Sequence, residues 1–253
     1  MDASLIGGYL NPGLIAYAVV AVFLAGIVRG YTGFGFSALV MLSLALFLPP
    51  ALIMPILVLL EIAASIHMLP GVWRQVDRRI LGWLMLGTVI GVPPGVFLLA
   101  TLPADQMRLV ISVLVLLVTI ILWRGFRLPT RGGWKLVLGT GLASGAIAGS
   151  AGMGGLVAVV MFLSISAAVE VVRATMVAFL MLQGIYTLGV AGAYDLVNAQ
   201  VFLAAVALAL PLFAGVVVGH RIFQVTTAGT FRRFVLLILA VLSVTGILRA
   251  LLG

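Results

Sequence analysis

The sequence predicts an all-α polytopic membrane protein made of two inverted repeats, each a glycine-broken helical hairpin followed by three transmembrane helices. Three observations predict it. The chain of 253 residues is 64% hydrophobic and 8% charged, so hydrocarbon rather than water is the solvent for most of its side chains. Gly26, Gly30, Gly33 and Gly35 recur 119 positions later as Gly145, Gly149, Gly152 and Gly154. Gly91, Gly95 and Arg108 recur 124 positions later as Gly215, Gly219 and Arg232. Two offsets that differ by a short insertion are what duplicated modules leave behind, and the polar stretch around Tyr194, Asp195 and Asn198 is where the five extra residues are expected.

The first element is the apolar segment 14–47, interrupted by Arg29, Gly30, Tyr31, Thr32, Gly33 and Gly35. Each glycine disfavours helix by about 1 kcal/mol relative to alanine, so the chain is expected to unwind there. At membrane depth, unwound backbone is tolerated only where it is buried in protein or lines a cavity. Apolar runs at 51–69, 80–102 and 109–123 follow, close to the roughly 20 residues that a spanning helix needs. A second interrupted segment, 136–168, contains Gly149, Ser150, Gly152, Gly154 and Gly155, and runs at 174–190, 199–219 and 234–248 complete the chain. These runs do not alternate and are too long for strands of a membrane barrel. Each glycine segment fits either two full crossings or a re-entrant pair of half-helices, with flanks of 14 to 18 residues. The reading is one transmembrane domain, with repeat one at 11–125 and repeat two at 136–253, joined by a basic loop at 124–135.

The net charge of +8 would suggest nucleic acid in a soluble protein, but here the cations sort into connections. Arg74, Arg78 and Arg79 occupy one, Arg124, Arg127, Arg131 and Lys135 another, and Arg221, Arg232 and Arg233 a third. Counting spans places all three on one face, which the positive-inside rule makes cytoplasmic. Asp2, Asp105, Arg108, Asp195 and Arg249 fall on the other. Repeat one then begins outside and repeat two inside, an antiparallel pair in a cell membrane, expected to be a bacterial inner membrane. Asp2 and the lack of a basic stretch before the first apolar run do not read as a cleaved signal peptide.

Several chemistries are unsupported. Cysteine is absent, which removes disulfide and thiolate chemistry. The single lysine, Lys135, precedes Leu136 and belongs to no phosphate-cradling loop. His67 and His220 lie far apart and suggest no metal site. Ser150 has no histidine nearby to activate it as a nucleophile. The expectation is a protein without cofactor that is not an enzyme.

Interrupted helices at matching positions of inverted repeats are how secondary transporters build a site near the bilayer midplane. Helix N-termini and free amides there present fixed positive ends to an anion. Stretches 33–37 and 152–155 each begin such a helix, with Thr32 and Ser150 as polar members of the two clusters; close packing on small residues is the competing explanation. An ionisable residue within a span costs roughly 3 kcal/mol on insertion scales, so each is a candidate. Arg29 is either a planar fork for an anion or an anchor at the cytoplasmic end. Arg173, three residues after Glu170, is either a ligand or neutralised by that neighbour on one helical face. Glu61, in mid-span, is placed to carry a proton through a transport cycle or to hold helices together as an ion pair. His67 reads as an interfacial histidine. Gln183 is a neutral group able to meet a substrate oxygen, with Tyr186 one turn along, and Trp73, Trp83, Trp123 and Trp134 read as interfacial anchors.

The residues 30–37, Gly-Tyr-Thr-Gly-Phe-Gly-Phe-Ser, with 149–155, Gly-Ser-Ala-Gly-Met-Gly-Gly, and Val172-Arg173-Ala174-Thr175, give the chain a resemblance over nearly its whole length. It resembles the sulfite exporter TauE/SafE family of membrane transporters. The family repeats its Ala-Thr element in the first half, whereas the matching stretch 54–56 has none. The resemblance implies a small sulfur-containing anion as substrate, such as sulfite, a sulfonate or thiosulfate. The combined expectation is a secondary transporter working by alternating access, with the lipid bilayer as its other partner. Its substrate residues are expected among Arg29, Gly30, Tyr31, Thr32, Gly33, Gly35, Ser37, Gly149, Ser150, Gly152, Gly154, Gly155, Arg173, Thr175 and Gln183, with Glu61 for proton coupling. A passive anion channel or a non-transporting membrane scaffold are the alternatives.

Overall fold

A computed structural model describes residues 11–32, 35–124, 133–162, 168–225 and 228–252. The described regular structure is helical throughout: α1 (Pro12–Thr32), α2 (Phe36–Leu44), α3 (Pro50–Val72), a 3₁₀ turn (Trp73–Gln75), α4 (Arg78–Thr101), α5 (Ala104–Trp123), α6 (Trp134–Ala151), α7 (Gly155–Phe162), α8 (Val169–Gly192), α9 (Ala199–Val225) and α10 (Ala228–Leu252). A long helix, a half-helix and three long helices therefore follow one another twice. Among the described residues, six of these helices (α1, α3, α4, α5, α8 and α9) are long and apolar enough to cross a membrane. Their outward faces carry large apolar side chains such as Leu203 and Leu210.

Local chemistry sets the boundaries. Pro49, in extended conformation, precedes Pro50 at the first position of α3, where a missing N–H and a preset φ cost nothing. The Asp77 carboxylate caps α4 by accepting from the amides of Arg79 at 2.9 Å and Ile80 at 3.0 Å. Gly35 ends the first break at φ +88° and Gly152 opens the second at φ +69°, left-handed conformations in which a Cβ would crowd the backbone.

The unwound stretches are shorter than the sequence suggests. Arg29, Gly30, Tyr31 and Thr32 stay within α1, and Gly149 and Ser150 within α6. Close packing, not unwinding, uses those glycines. A Cβ on Gly26, Gly30, Gly215 or Gly219 would collide with the backbone carbonyl of Leu212, Val216, Phe23 or Ile27 respectively, sealing α1 against α9. On Gly145, Gly149, Gly91 or Gly95 it would collide with that of Thr88, Val92, Leu142 or Ala146, sealing α6 against α4. Shifting the first set by 119 in α1 and by 124 in α9 reproduces the second contact for contact. The tertiary interface overrides the local helix penalty of these glycines.

The two arms of each glycine segment are also unequal. α1 and α6 have 21 and 18 residues, whereas α2 and α7 have 9 and 8. At 1.5 Å per residue the short arms reach about 12–14 Å, less than half of the roughly 30 Å hydrocarbon layer. α2 is a half-helix, and the described part of α7 is equally short.

The insertion between repeats is divided as well. The helix caps Pro49 and Ala168 stand 119 apart. Asp77 and Asn198, which accept from the amides of Ile80 and Val201 at 3.0 and 2.9 Å, stand 121 apart, and the packing glycines 124 apart. Three of the five extra residues thus lie in the first turns of α9, not in the connection before it.

Contacts sort the helix ends into two groups. Trp83 stacks on Trp134 with ring centroids 5.2 Å apart, and the Asp77 amide donates to the Thr175 hydroxyl at 3.0 Å, bringing the starts of α4, α6 and α8 together. At the opposite end Arg108 pairs with Asp105 and donates from Nε to the Ala45 carbonyl at 2.6 Å. There too, Arg249 lies 5.4 Å over the Phe47 ring, which meets Tyr17 edge-on at 5.2 Å.

Candidate anion site

Arg29 lies three residues before the end of α1 and is 2% exposed. Its Nη1 pairs with Glu61, the twelfth residue of the 23-residue α3, and its Nη2 donates to the Ser65 hydroxyl at 3.4 Å. The other Glu61 oxygen accepts from the hydroxyl of Ser37, at the start of α2. One ion pair therefore ties the first break to the middle of α3. Arg29 Nε, fully buried, has no hydrogen-bond partner among the described residues, an expensive omission for a charged donor.

Neutral groups brace the second break. The Ser144 hydroxyl donates to the Gly154 carbonyl at 2.7 Å, and Gln183 Nε2 donates to Ser144 Oγ at 3.0 Å and Thr88 Oγ1 at 3.4 Å. The Gln183 amide oxygen lies where a Cβ on Gly154 would point, so only glycine leaves room for this brace. Gly152 rests on Met54 and Val58 of α3.

Between the two breaks is a cavity lined by Arg29, Gly35, Ser37, Ala38, Glu61, Met153, Gly155, Leu156 and Leu180. It is small, about the size of one water. The half-helices α2 and α7 both begin on it. The first amides of α2, which a helix leaves without intrahelical partners, and the spare Arg29 donor lie beside one small volume, whereas the α7 amides of Leu156 and Val157 already donate to the Met153 and Gly154 carbonyls at 3.1 and 3.2 Å. That arrangement suits an anion.

Of the residues expected from sequence, Arg29, Gly35, Ser37, Glu61 and Gly155 line this cavity. Gly152 and Gly154 shape the break beside it. Gly30 and Gly149 sit in the helix interfaces, and the Ser150 hydroxyl turns back to the Ile147 carbonyl at 3.5 Å. Tyr31 is buried near the end of α1, Thr32 ends that helix, and Gly33 lies outside the described residues. Arg173 is exposed, while Thr175 is buried near the start of α8 against Asp77. Glu170 is exposed too, and no ion pair joins it to Arg173; both are solvated, which removes the drive to neutralise each other. Gln183 acts as a brace, and Tyr186 donates to the Val89 carbonyl at 3.1 Å. His67 meets Phe213 at 6.0 Å.

Sequence reasoning missed the apolar wall of Met153, Leu156 and Leu180. The repeat offset held the signal: Ser37 and Glu61 shifted by 119 are Leu156 and Leu180. The cavity thus pairs a polar wall from one half with its apolar counterpart from the other.

The chain matches the sequence model of the family described as Sulfite exporter TauE/SafE over residues 18–245. No curated protein and no solved structure matches it. With six helices long and apolar enough to cross a membrane among the described residues, that match makes it a multi-pass membrane protein. Its broken helices, their shared cavity and the extent of the match lead to one assignment: the chain belongs to the sulfite exporter TauE/SafE family, which implies membrane transport of sulfur anions such as sulfite.

Proposed function

We propose that this protein is a secondary transporter that moves a sulfur oxyanion or a small organosulfonate by alternating access around the cavity between Gly35 and Gly155. The observation that carries this is the buried, unpartnered Arg29 Nε where two half-helices begin. In this reading Arg29 holds an anionic oxygen through its planar fork. The Ser37 hydroxyl and the first amides of α2 take other oxygens, and Glu61 carries the coupled proton. Gly152, Gly154, Gln183 and Ser144 hold the second break in shape.

The inverted-repeat arrangement is part of the proposal, with repeats at 11–125 and 136–253 and the basic loop 124–135 on the cytoplasmic side of a bacterial inner membrane. Contact directions support it. Tyr17 lies at the Phe47 end and Arg29 beside Glu61, so α1 runs with α3. The short turn at Trp73–Gln75 reverses α3 into α4, and Gly87, Gly91 and Gly95 meet Leu138, Leu142 and Ala146 in ascending order, so α6 runs with α4. α1 and α6 then point in opposite directions.

Uptake of labelled sulfite, thiosulfate and methanesulfonate into proteoliposomes tests the proposal. Wild-type uptake of at least one should saturate. Arg29→Ala should weaken apparent affinity by about 10- to 100-fold, the loss expected for a charged hydrogen bond of about 1.5–3 kcal/mol. Equal uptake by wild type and Arg29→Ala would refute the site.

A further inference from the structure

We infer that the cavity enforces electroneutral cotransport, one proton on Glu61 with each singly charged anion, and that neither crosses alone. The inference rests on the transport reading above and specifies what its site admits.

The argument is a charge count. Among the described residues lining the cavity, Arg29 and Glu61 are the charged ones, and they sum to zero. From the elements around Glu61, α1 presents Arg29 and α2 presents the Ser37 hydroxyl, while α7 and α8 present Leu156 and Leu180. The other titratable group described on α3, His67, is six residues further along, against Phe213 of α9. With Ala38 and Met153 these side chains form a wall that offers no second counter-charge. An uncompensated charge in such a place is strongly disfavoured.

Four loading states follow. The empty site, Arg29 paired with Glu61, is neutral. A bound monoanion makes it a net negative charge, because one guanidinium then faces two anions. A proton from water on the entry side, taken by the Glu61 carboxylate, restores neutrality and frees Arg29 for the substrate; it leaves to water on the exit side. A proton alone leaves Arg29 uncompensated. Only the empty and doubly loaded states are neutral, and only they can carry the closed site through its apolar surroundings. Glu61 is thus the stand-in anion of the resting site. A dianion with one proton would leave one net negative charge, so its transport should be slower and sensitive to voltage.

The test uses the full chain in proteoliposomes, methanesulfonate as a permanently singly charged probe, an internal pH dye, and potentials set with potassium and valinomycin. The expected result is one proton moved per methanesulfonate, driven by a pH gradient and insensitive to imposed potentials of either sign. Movement of one full charge would instead change the driving factor by about 50-fold per 100 mV. Glu61→Gln should retain methanesulfonate exchange across the membrane but lose accumulation driven by the pH gradient, a pattern that a misfolded variant cannot produce. Voltage-dependent methanesulfonate flux at equal pH, or gradient-driven accumulation by Glu61→Gln, would overturn the inference while leaving the transporter reading intact. Absence of saturable flux for every sulfur anion would remove both.

Discussion

A charge in a long apolar run is costly unless it is partnered, and the buried Arg29 and Glu61 pair with each other, so the ion pair read for Glu61 has a partner that sequence did not name. The two lie 32 positions apart in sequence, and no periodicity joins α1 to α3. The opposite error occurred at Glu170 and Arg173, whose spacing suggested a pair although both stay in contact with solvent. A double substitution separates structure from function at this site. Arg29→Leu alone should destabilise the protein by about 3–5 kcal/mol, because it strands a buried carboxylate, whereas Arg29→Leu with Glu61→Leu should recover most of that loss. Thermal unfolding in detergent reports the recovery, and the apparent affinity for the anion should stay weakened in both. Restored affinity in the double variant would make the pair purely structural.

Among elements, the existence and order of the helices followed from hydrophobic runs, and the two breaks from glycine clusters. The helix starts at 33–37 and 152–155 followed too, but the extent of the breaks before them did not, because a glycine reads the same whether it unwinds a helix or lets another helix approach. Gly30 and Gly139 make the distinction measurable. A Cβ on Gly30 would strike the Val216 carbonyl, whereas nothing lies within 4 Å of one on Gly139. Gly30→Ala should therefore cost about 1–3 kcal/mol through overpacking, and Gly139→Ala should be neutral or add up to about 1 kcal/mol through helix propensity. Equal effects on thermal midpoint would contradict the packing account. The half-helix α2 has its own anchor, since Arg108 of α5 donates to the carbonyls of Ala45 and Leu48 beyond its C-terminal end, where a cation also favours the helix dipole. Arg108→Ala should free this end and slow transport more than it weakens binding, seen as a fall in maximal rate at nearly constant half-saturation.

For the whole molecule, the repeat offset revealed the duplication but not which half meets which. The contacts answer this: the first helix of each half packs on the third long helix of the other, α1 on α9 and α6 on α4. Such an exchange explains why the cavity draws on both halves and why its walls differ in polarity, one ionic and one apolar. The proposed topology has a direct check in a chain without native cysteine. Cysteines placed at exposed Gln75 and exposed Asp105 should be labelled by a membrane-impermeant thiol reagent from opposite sides. Labelling of both from one side would contradict the count of crossings. The central claim, that the two breaks present Arg29 and helix amides to an anion, is tested most directly by an experimental structure with a bound sulfur anion. The account predicts the anion within hydrogen-bonding distance of Arg29, between the first turns of α2 and α7, with the Arg29–Glu61 pair opened. An anion bound elsewhere, with that pair intact, would contradict it.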